Sequence, residues 1–119
     1  MVFKGTYLIP ADRCGVWWVR VFHLYWGGLR KVSYCGEFVK VSVKSTRPKN
    51  KLRKKSKCVG VLVRLKKELF KLDRSFTKFC ENNVVILKKR WSPRGKELLG
   101  PVIWTVRRRK FKNSFPGII

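Results

Sequence analysis

Apolar and polar residues alternate with a period of two through most of the first two thirds of the chain. In the clearest case, Phe38–Lys44, three valines alternate with Lys40, Ser42 and Lys44. Successive side chains of a β-strand point to opposite faces, so this pattern predicts a strand with one buried and one solvated face. The same pattern, or a run rich in β-branched residues, predicts four more strands: Thr6–Ile9, Val19–Leu24, Cys58–Arg64 and Val84–Leu87.

Five short strands separated by turn-forming residues predict a mainly β protein, a small five-stranded β-barrel. The last third of the chain differs, because Ser92–Gly95 and Gly100–Pro101 interrupt the alternation. Pro101 favours the start of a short helix, which we expect over Val102–Phe111. We therefore expect a single domain over residues 1–119, with the barrel over about 1–90 and a loop with a short helical C-terminal extension over about 91–119.

The alternation also assigns side chains to the two faces of the predicted sheet. Five valines are expected to point into the barrel: Val39, Val41, Val43, Val61 and Val63. Trp17 and Trp18 are neighbours in a strand, so one is expected inside and the other outside.

The charge of the chain narrows the function classes. Thirty Lys and Arg stand against six Asp and Glu, giving a net charge of +24. Six carboxylates cannot neutralise thirty cations, so the functional state is expected to contain a polyanion. A membrane surface is one such polyanion, but the longest apolar stretches, Val16–Val19 and Val59–Val63, are far shorter than the about 20 residues of a spanning helix. The strand period also opposes a long amphipathic helix, so we expect no membrane partner.

Three basic clusters are candidates for nucleic-acid contact: Arg47–Lys57, Arg64–Arg74, and a third formed by Lys88–Arg90 with Arg107–Lys110. A loop as highly charged as Arg47–Lys57 repels itself, so we expect little regular structure there until phosphates neutralise it. Trp91, next to the third cluster, is the best candidate for stacking on an unpaired base.

Catalysis and metal binding find little support. His23 is the only histidine and lies within a strand pattern, which favours a structural imidazole over a general base. The carboxylates are scattered, and the common nucleotide-binding and hydrolase motifs are absent. The four cysteines occur singly, without the paired spacing of zinc ribbons, and are expected to be buried free thiols. We expect no enzyme activity, no cofactor and no metal.

Several motifs resemble, in order and spacing, those of the universal ribosomal protein fourteen of the large subunit. A valine-rich strand ends at Arg64–Lys67, which resembles the family's Arg-x-Lys-Lys. Asp73–Phe76 then resembles its Asp-Gly-Ser, and Phe79–Asn83 resembles its Phe-x-x-Asn-Ala. Ala11–Val16 resembles the family's Ala-Asp-Asn-Ser-Gly-Ala turn, and Leu98–Val102 resembles Ile-Phe-Gly-Pro-Val. Each motif alone is weak, whereas their joint order over nearly the whole chain is strong.

The chain departs from the family pattern at five places. Arg13–Cys14 stands where the family has Asn-Ser. Arg74 stands where the family has glycine, so the turn after Asp73 is expected to be built differently. Asn83 stands where the family prefers alanine, Trp17–Trp18 replaces a pair of basic residues, and Lys96–Glu97 replaces a Thr-Arg pair.

The resemblance implies a five-stranded barrel with a short helical C-terminal part that serves as a structural constituent of the large ribosomal subunit. It implies binding to large-subunit rRNA, contact with large-subunit ribosomal protein nineteen, a share in bridges to small-subunit rRNA and, in many members, docking of a ribosome-silencing factor. The divergence of the chain is typical of an organellar copy, so we expect the mitochondrial ribosome of the matrix, with another organellar or a bacterial-type ribosome as the alternative.

The resemblance and the basic clusters together indicate the residues that bind RNA. The residues expected to bind rRNA are Lys44, Arg47, Lys49, Lys51, Arg53, Lys54, Lys55, Arg64, Lys66, Lys67, Lys71, Arg74 and Lys88. Among them the arginines Arg47, Arg53 and Arg64 can grip phosphate bidentately. The residues expected on the intersubunit surface are Lys96, Glu97, Arg107, Arg109 and Lys110. Because phosphate repels a carboxylate, Glu97 is expected to meet a basic protein neighbour or to pair internally.

A free-standing barrel that binds single-stranded nucleic acid is the alternative function. Such a protein needs exposed aromatic residues clustered on one face of a sheet. The alternation does not supply an obvious cluster of this kind, so the ribosomal function is preferred.

Overall fold

The protein is described by a computed structural model that covers residues 2–25, 31–48, 53–88, 93–95, 98–106, 115 and 117. Over these residues the strands are β1 Val2–Phe3, β2 Tyr7–Pro10, β3 Val16–Leu24, β4 Val32–Ser33, β5 Phe38–Thr46, β6 Lys57–Arg64, β7 Leu69–Phe70, β8 Phe76–Thr77 and β9 Asn83–Leu87. Strands β2, β3, β5, β6 and β9 form a closed barrel in that order. Their pairing is antiparallel except between β2 and β9, which run parallel. The predicted barrel and its five strands are confirmed.

Two small sheets flank the barrel and were not predicted. β1 pairs with β4, and β7 pairs with β8 as a hairpin. Each of these strands has only two residues, which is too short for an alternating pattern to be recognised.

The barrel interior is filled by aliphatic side chains from every barrel strand. The inward residues include Leu8, Val19, Val21, Val39, Val41, Val43, Leu62, Val84 and Ile86. The prediction that Val39, Val41 and Val43 point inward is therefore confirmed.

A second apolar cluster lies outside the barrel wall, and it contains Val61 and Val63. The prediction that these two valines point inward is wrong, since Leu62 between them is the inward residue. β6 and β9 are buried on both faces, because the C-terminal segment covers their outer side with Val102, Ile103 and Val106. An apolar run without alternation does not reveal which of its residues face the barrel.

The helix predicted over Val102–Phe111 is not found in the part that is described. Residues 102–106 form irregular backbone with one turn, and residues 107–111 lie outside the described residues. The Val102 amide donates to the carbonyl of Gly117 (2.9 Å) and the Ile103 amide to that of Val63 (3.4 Å). These two bonds attach the segment to residue 117 and to β6. The Val106 amide donates to the carbonyl of Ile103 (3.3 Å), a bond between residues three apart that closes a single turn and does not continue as an α-helix.

Truncating one valine in each apolar cluster tests this arrangement. We expect Val41→Ala and Val63→Ala each to lower the free energy of unfolding by about 1–3 kcal/mol, through lost burial and a residual cavity. The measurement is urea denaturation at fixed salt, with Ser42→Ala, on the outer face of β5, as the control. If Val63→Ala leaves the free energy of unfolding unchanged, the second core closed by the C-terminal segment is contradicted.

Candidate nucleic-acid interface

The barrel separates the predicted rRNA-binding cations into two groups at its opposite ends. Strand β6 begins after the Arg47–Ser56 loop and ends before the Leu65–Lys78 segment, which carries the β7–β8 hairpin. We call these the loop end and the hairpin end. The eight residues of β6 separate them by roughly 23 Å at the usual rise of an extended chain.

The loop end presents cations from a tethered loop. Arg47, Arg53, Lys54 and Lys55 are exposed. The Arg47 amide donates to the carbonyl of Gly15 (2.9 Å), and the Lys55 amide donates to that of Val43 (2.8 Å). Both ends of the loop are thus bonded to the barrel, and the described part, residues 53–56, is a turn.

Two further predicted cations lie at the loop end or next to it. Lys44 is half-buried near the end of β5, and Lys88 is exposed directly after β9. Lys49 and Lys51 lie outside the described residues.

The hairpin end presents Lys66, Lys67, Lys71 and Arg74, all exposed. Arg74 has φ of 70°, in the left-handed region that glycine favours. The arginine itself therefore adopts a glycine-like backbone at the position where the family has glycine, at a cost of about 1–2 kcal/mol.

Side-chain hydrogen bonds hold the hairpin turn. Asp73 Oδ1 accepts hydrogen bonds from the Ser75 amide (3.1 Å) and the Ser75 hydroxyl (2.6 Å). These bonds lower the pKa of Asp73 below its usual value. The turn holds Arg74 in the solvent, where a phosphate can reach it.

Arg64 has a structural role that the sequence did not reveal. Its Nε donates to Asn83 Oδ1 (2.8 Å), and its Nη1 donates to the carbonyls of Leu99 (2.6 Å) and Pro101 (3.2 Å). Gly100, with φ of 72°, lies against the guanidinium, and a side chain there would collide with Nη1. Arg64 therefore fastens the C-terminal segment to the barrel; that it also contacts phosphate stays a prediction.

Asn83, one of the departures from the family, is the partner that orients Arg64. It is buried in β9, and its Nδ2 donates to the carbonyl of Ile9 (3.1 Å). The amide thus links β2 and β9 to the guanidinium that fastens the C-terminal segment.

Strand β3 departs from regular alternation, and the irregularity exposes aromatic side chains. Its register against β5 shifts around Trp18 and again between Val21 and His23. An extra residue at each bulge lets two successive side chains face outward. Trp17 and Trp18 are accordingly 52% and 48% exposed, so the prediction that one of them points inward is wrong.

One outward residue of β3, Arg20, belongs to a row of cross-strand neighbours on the outer surface of four strands. The register pairs Tyr7 with Arg20, Arg20 with Ser42, and Ser42 with Lys57. The Arg20 guanidinium carbon lies 5.7 Å from the centre of the Tyr7 ring, and Lys57 Nζ lies 6.0 Å from that of Phe22. Exposed aromatic residues do cluster on one sheet face, contrary to the sequence-based expectation.

We call this surface the β3 face and define it by Tyr7, Trp17, Trp18, Arg20, Phe22, Lys40 and Lys57, all exposed. None of its cations was among the residues predicted to bind rRNA. The replacement of a basic pair by Trp17–Trp18 was the one signal in the sequence that pointed to it.

The described residues offer no group of three metal-ligating side chains and no helix long and apolar enough to cross a membrane. Cys14, Cys35 and Cys58 are half-buried thiols that form no disulfide, whereas Cys80 is exposed, so the expectation of burial is wrong for Cys80. Burial raises the pKa of Cys14 and of Cys35 to about 12, which keeps both thiols protonated at neutral pH.

Asp12 is a buried carboxylate at the loop end of the barrel. Its Oδ2 accepts a hydrogen bond from the Gly95 amide (2.9 Å), and the Cys14 thiol lies beside the carboxylate and interacts with it. Burial raises the pKa of Asp12 above its usual value, although the Gly95 hydrogen bond acts in the opposite direction.

The raised pKa of Asp12 predicts a pH dependence of stability. Because the folded state binds the proton more tightly than the unfolded state, the ionised carboxylate destabilises the fold above its folded pKa, and this penalty is relieved as pH falls toward the unfolded value. Relative to Asp12→Asn, the wild type should gain stability as pH is lowered through that range. Urea denaturation across the acidic range checks this; a difference that is constant with pH contradicts it.

The residues predicted for the intersubunit surface, Lys96, Glu97, Arg107, Arg109 and Lys110, lie outside the described residues. So does Trp91, the predicted stacking residue.

The chain matches both a family model and a curated relative. The family model described as ribosomal protein L14p/L23e matches residues 1–115. The chain is also 54% identical over 119 residues to the large ribosomal subunit protein uL14m of Tetrahymena pyriformis, and the match covers all of both chains.

Proposed function

The chain belongs to the ribosomal protein L14p/L23e family, and on that premise we propose how its barrel contributes to the ribosome. It is a structural constituent of the large ribosomal subunit and not an enzyme. Its place is the mitochondrial ribosome, as its full-length similarity to uL14m supports.

In the proposed arrangement the barrel is a rigid spacer that binds two rRNA segments, one at each end. Exposed cations at the loop end (Arg47, Arg53, Lys54, Lys55) and at the hairpin end (Lys66, Lys67, Lys71, Arg74) support this. Phosphate contacts of this kind fix position and orientation without reading sequence. The observation that carries the proposal is the separation of two basic clusters by the length of one barrel strand.

Proposals about the other partners rest on the family resemblance. Lys96, Arg107, Arg109 and Lys110 are proposed to face small-subunit rRNA, with Glu97 meeting a basic protein neighbour there. Large-subunit ribosomal protein nineteen and a ribosome-silencing factor are proposed as protein partners. A structure of the joined ribosome tests this surface, and Glu97 directly against phosphate, without an intervening cation or basic side chain, contradicts it.

Sedimentation tests the main proposal. A tagged copy of the chain, expressed in mitochondria, should sediment with the large subunit and remain there through a salt wash, because many phosphate contacts act together in a folded rRNA. A free-standing nucleic-acid-binding barrel is released by the wash, since its affinity falls steeply with salt. If the wash releases the chain while the large subunits themselves stay intact, the structural role is contradicted.

A further inference from the structure

We propose that the β3 face binds unpaired rRNA nucleotides by stacking, as a contact separate from the phosphate contacts at the two barrel ends. The inference rests on the proposed function for the identity of the RNA. Apart from Lys57, the last residue of the first basic cluster, it assigns a role to residues outside the basic clusters.

The geometry of the face suits a single strand. Along β3, Trp18, Arg20 and Phe22 follow one another on the outer surface, and the bulge adds Trp17 beside Trp18. Across the sheet, Tyr7 lies on one side of Arg20 and Lys57 on the other. Neighbouring strands are about 4.8 Å apart, so the four-strand row from Tyr7 to Lys57 spans roughly 14 Å. The rings and cations are thus close enough for one or two neighbouring nucleotides of a single strand to contact both.

The cations of the face lie next to the rings. Arg20 lies over Tyr7 and Lys57 over Phe22, both within cation–π distance. A base stacked on one of the exposed rings brings its phosphate within reach of Arg20, Lys40 or Lys57. This combination of flat π surfaces with adjacent positive charge is what sequence-tolerant single-strand binding requires.

Charge selects RNA over a protein partner for this face. Strands β2, β3, β5 and β6 contain no aspartate or glutamate. An apolar protein interface would have to bury Arg20, Lys40 and Lys57 against acidic groups supplied wholly by the partner. An rRNA segment supplies both the negative charge and the planar bases.

Replacement of the tryptophans tests the stacking directly. The variants are Trp17→Leu/Trp18→Leu, which keeps apolar bulk without an aromatic ring, and Trp17→Phe/Trp18→Phe, which keeps the ring. The probes are a labelled oligouridylate and a blunt RNA duplex of equal length, each titrated with the full chain at fixed salt. A Phe3→Leu/Tyr34→Leu variant is the matched control, because it removes two exposed aromatic rings that belong neither to the β3 face nor to the two basic clusters.

We expect the leucine variant to bind oligouridylate roughly 5- to 150-fold more weakly than the wild type, the range for losing one stacked base. The phenylalanine variant should retain most of the affinity, the Phe3→Leu/Tyr34→Leu control should match the wild type, and affinity for the duplex should not change. Equal losses for oligouridylate and duplex, or no loss in the leucine variant, overturn the proposal. Unfolding curves for each variant test whether the fold is intact. Because both tryptophan side chains point outward, we expect the variants to unfold like the wild type.

A second measurement uses the assembled subunit. A photo-reactive benzoylphenylalanine is placed at Trp18 in a tagged chain, and cross-links are mapped after irradiation of purified large subunits. A cross-link to rRNA nucleotides that are unpaired supports the proposal. A cross-link only to protein, or only to base-paired rRNA, overturns the proposal. Co-sedimentation of the same tagged chain with the subunit is a separate test of the structural function, so failure of one can be told from failure of the other.

Discussion

Arg64→Ala is expected to lower the free energy of unfolding by about 2–4 kcal/mol, because three charge-assisted hydrogen bonds are lost and the buried Asn83 side chain loses its guanidinium partner. The guanidinium donates hydrogen bonds to Asn83 Oδ1 and to the carbonyls of Leu99 and Pro101 at the same time. Alanine cannot replace any of these donors. The C-terminal segment should then detach more readily, exposing the outer apolar side of β6 and β9.

Two variants separate this role from a simple loss of charge. Arg64→Lys keeps the charge, but a single ammonium group cannot reproduce the planar arrangement of Nε and Nη1, so an intermediate loss is expected. Lys66→Ala removes one exposed charge nearby and should be close to neutral, since its only described hydrogen bond, to Asn82, is made by the backbone amide. Urea denaturation provides the free energies. A loss for Arg64→Ala no larger than that for Lys66→Ala contradicts the fastening role.

Replacing Arg53, Lys54 and Lys55 together with alanine is expected to reduce incorporation into the large subunit and to leave the isolated fold intact. All three side chains are exposed, and the loop is held by its backbone, through the Lys55 amide and the carbonyl of Val43. If each cation neutralises one phosphate, the slope of log affinity against log salt should fall in magnitude by about 2 to 3. Competition between tagged wild-type and variant chains for incorporation gives the first readout, and rRNA-fragment binding at several salt concentrations gives the second.

The matched control removes equal charge elsewhere. Lys4 and Lys31 are exposed and lie outside both basic barrel ends, so their double alanine variant, compared with Lys54→Ala/Lys55→Ala, tests the effect of net charge alone. Normal incorporation of the loop variant, or an equal defect in the control, argues against a specific loop contact.

Much of the fold and function was determined by local sequence pattern. Alternation in β5 predicted a strand with Val39, Val41 and Val43 inside, because the two faces of that strand meet different environments. The charge of +24 required a polyanionic partner, because six carboxylates cannot balance it. The order of the motifs, from Ala11–Val16 to Leu98–Val102, indicated the family that the comparisons confirm.

The tertiary structure decided what depends on distant segments. Val61 and Val63 face outward because the C-terminal segment covers β6. Residues 102–106 lie along the barrel as irregular backbone with one turn, bonded to Val63 and Gly117. Trp17 and Trp18 share one face because the register against β5 inserts a bulge, which no alternation within β3 reveals. In each case the deciding partner lies far away in sequence, so the local pattern carried no information about it.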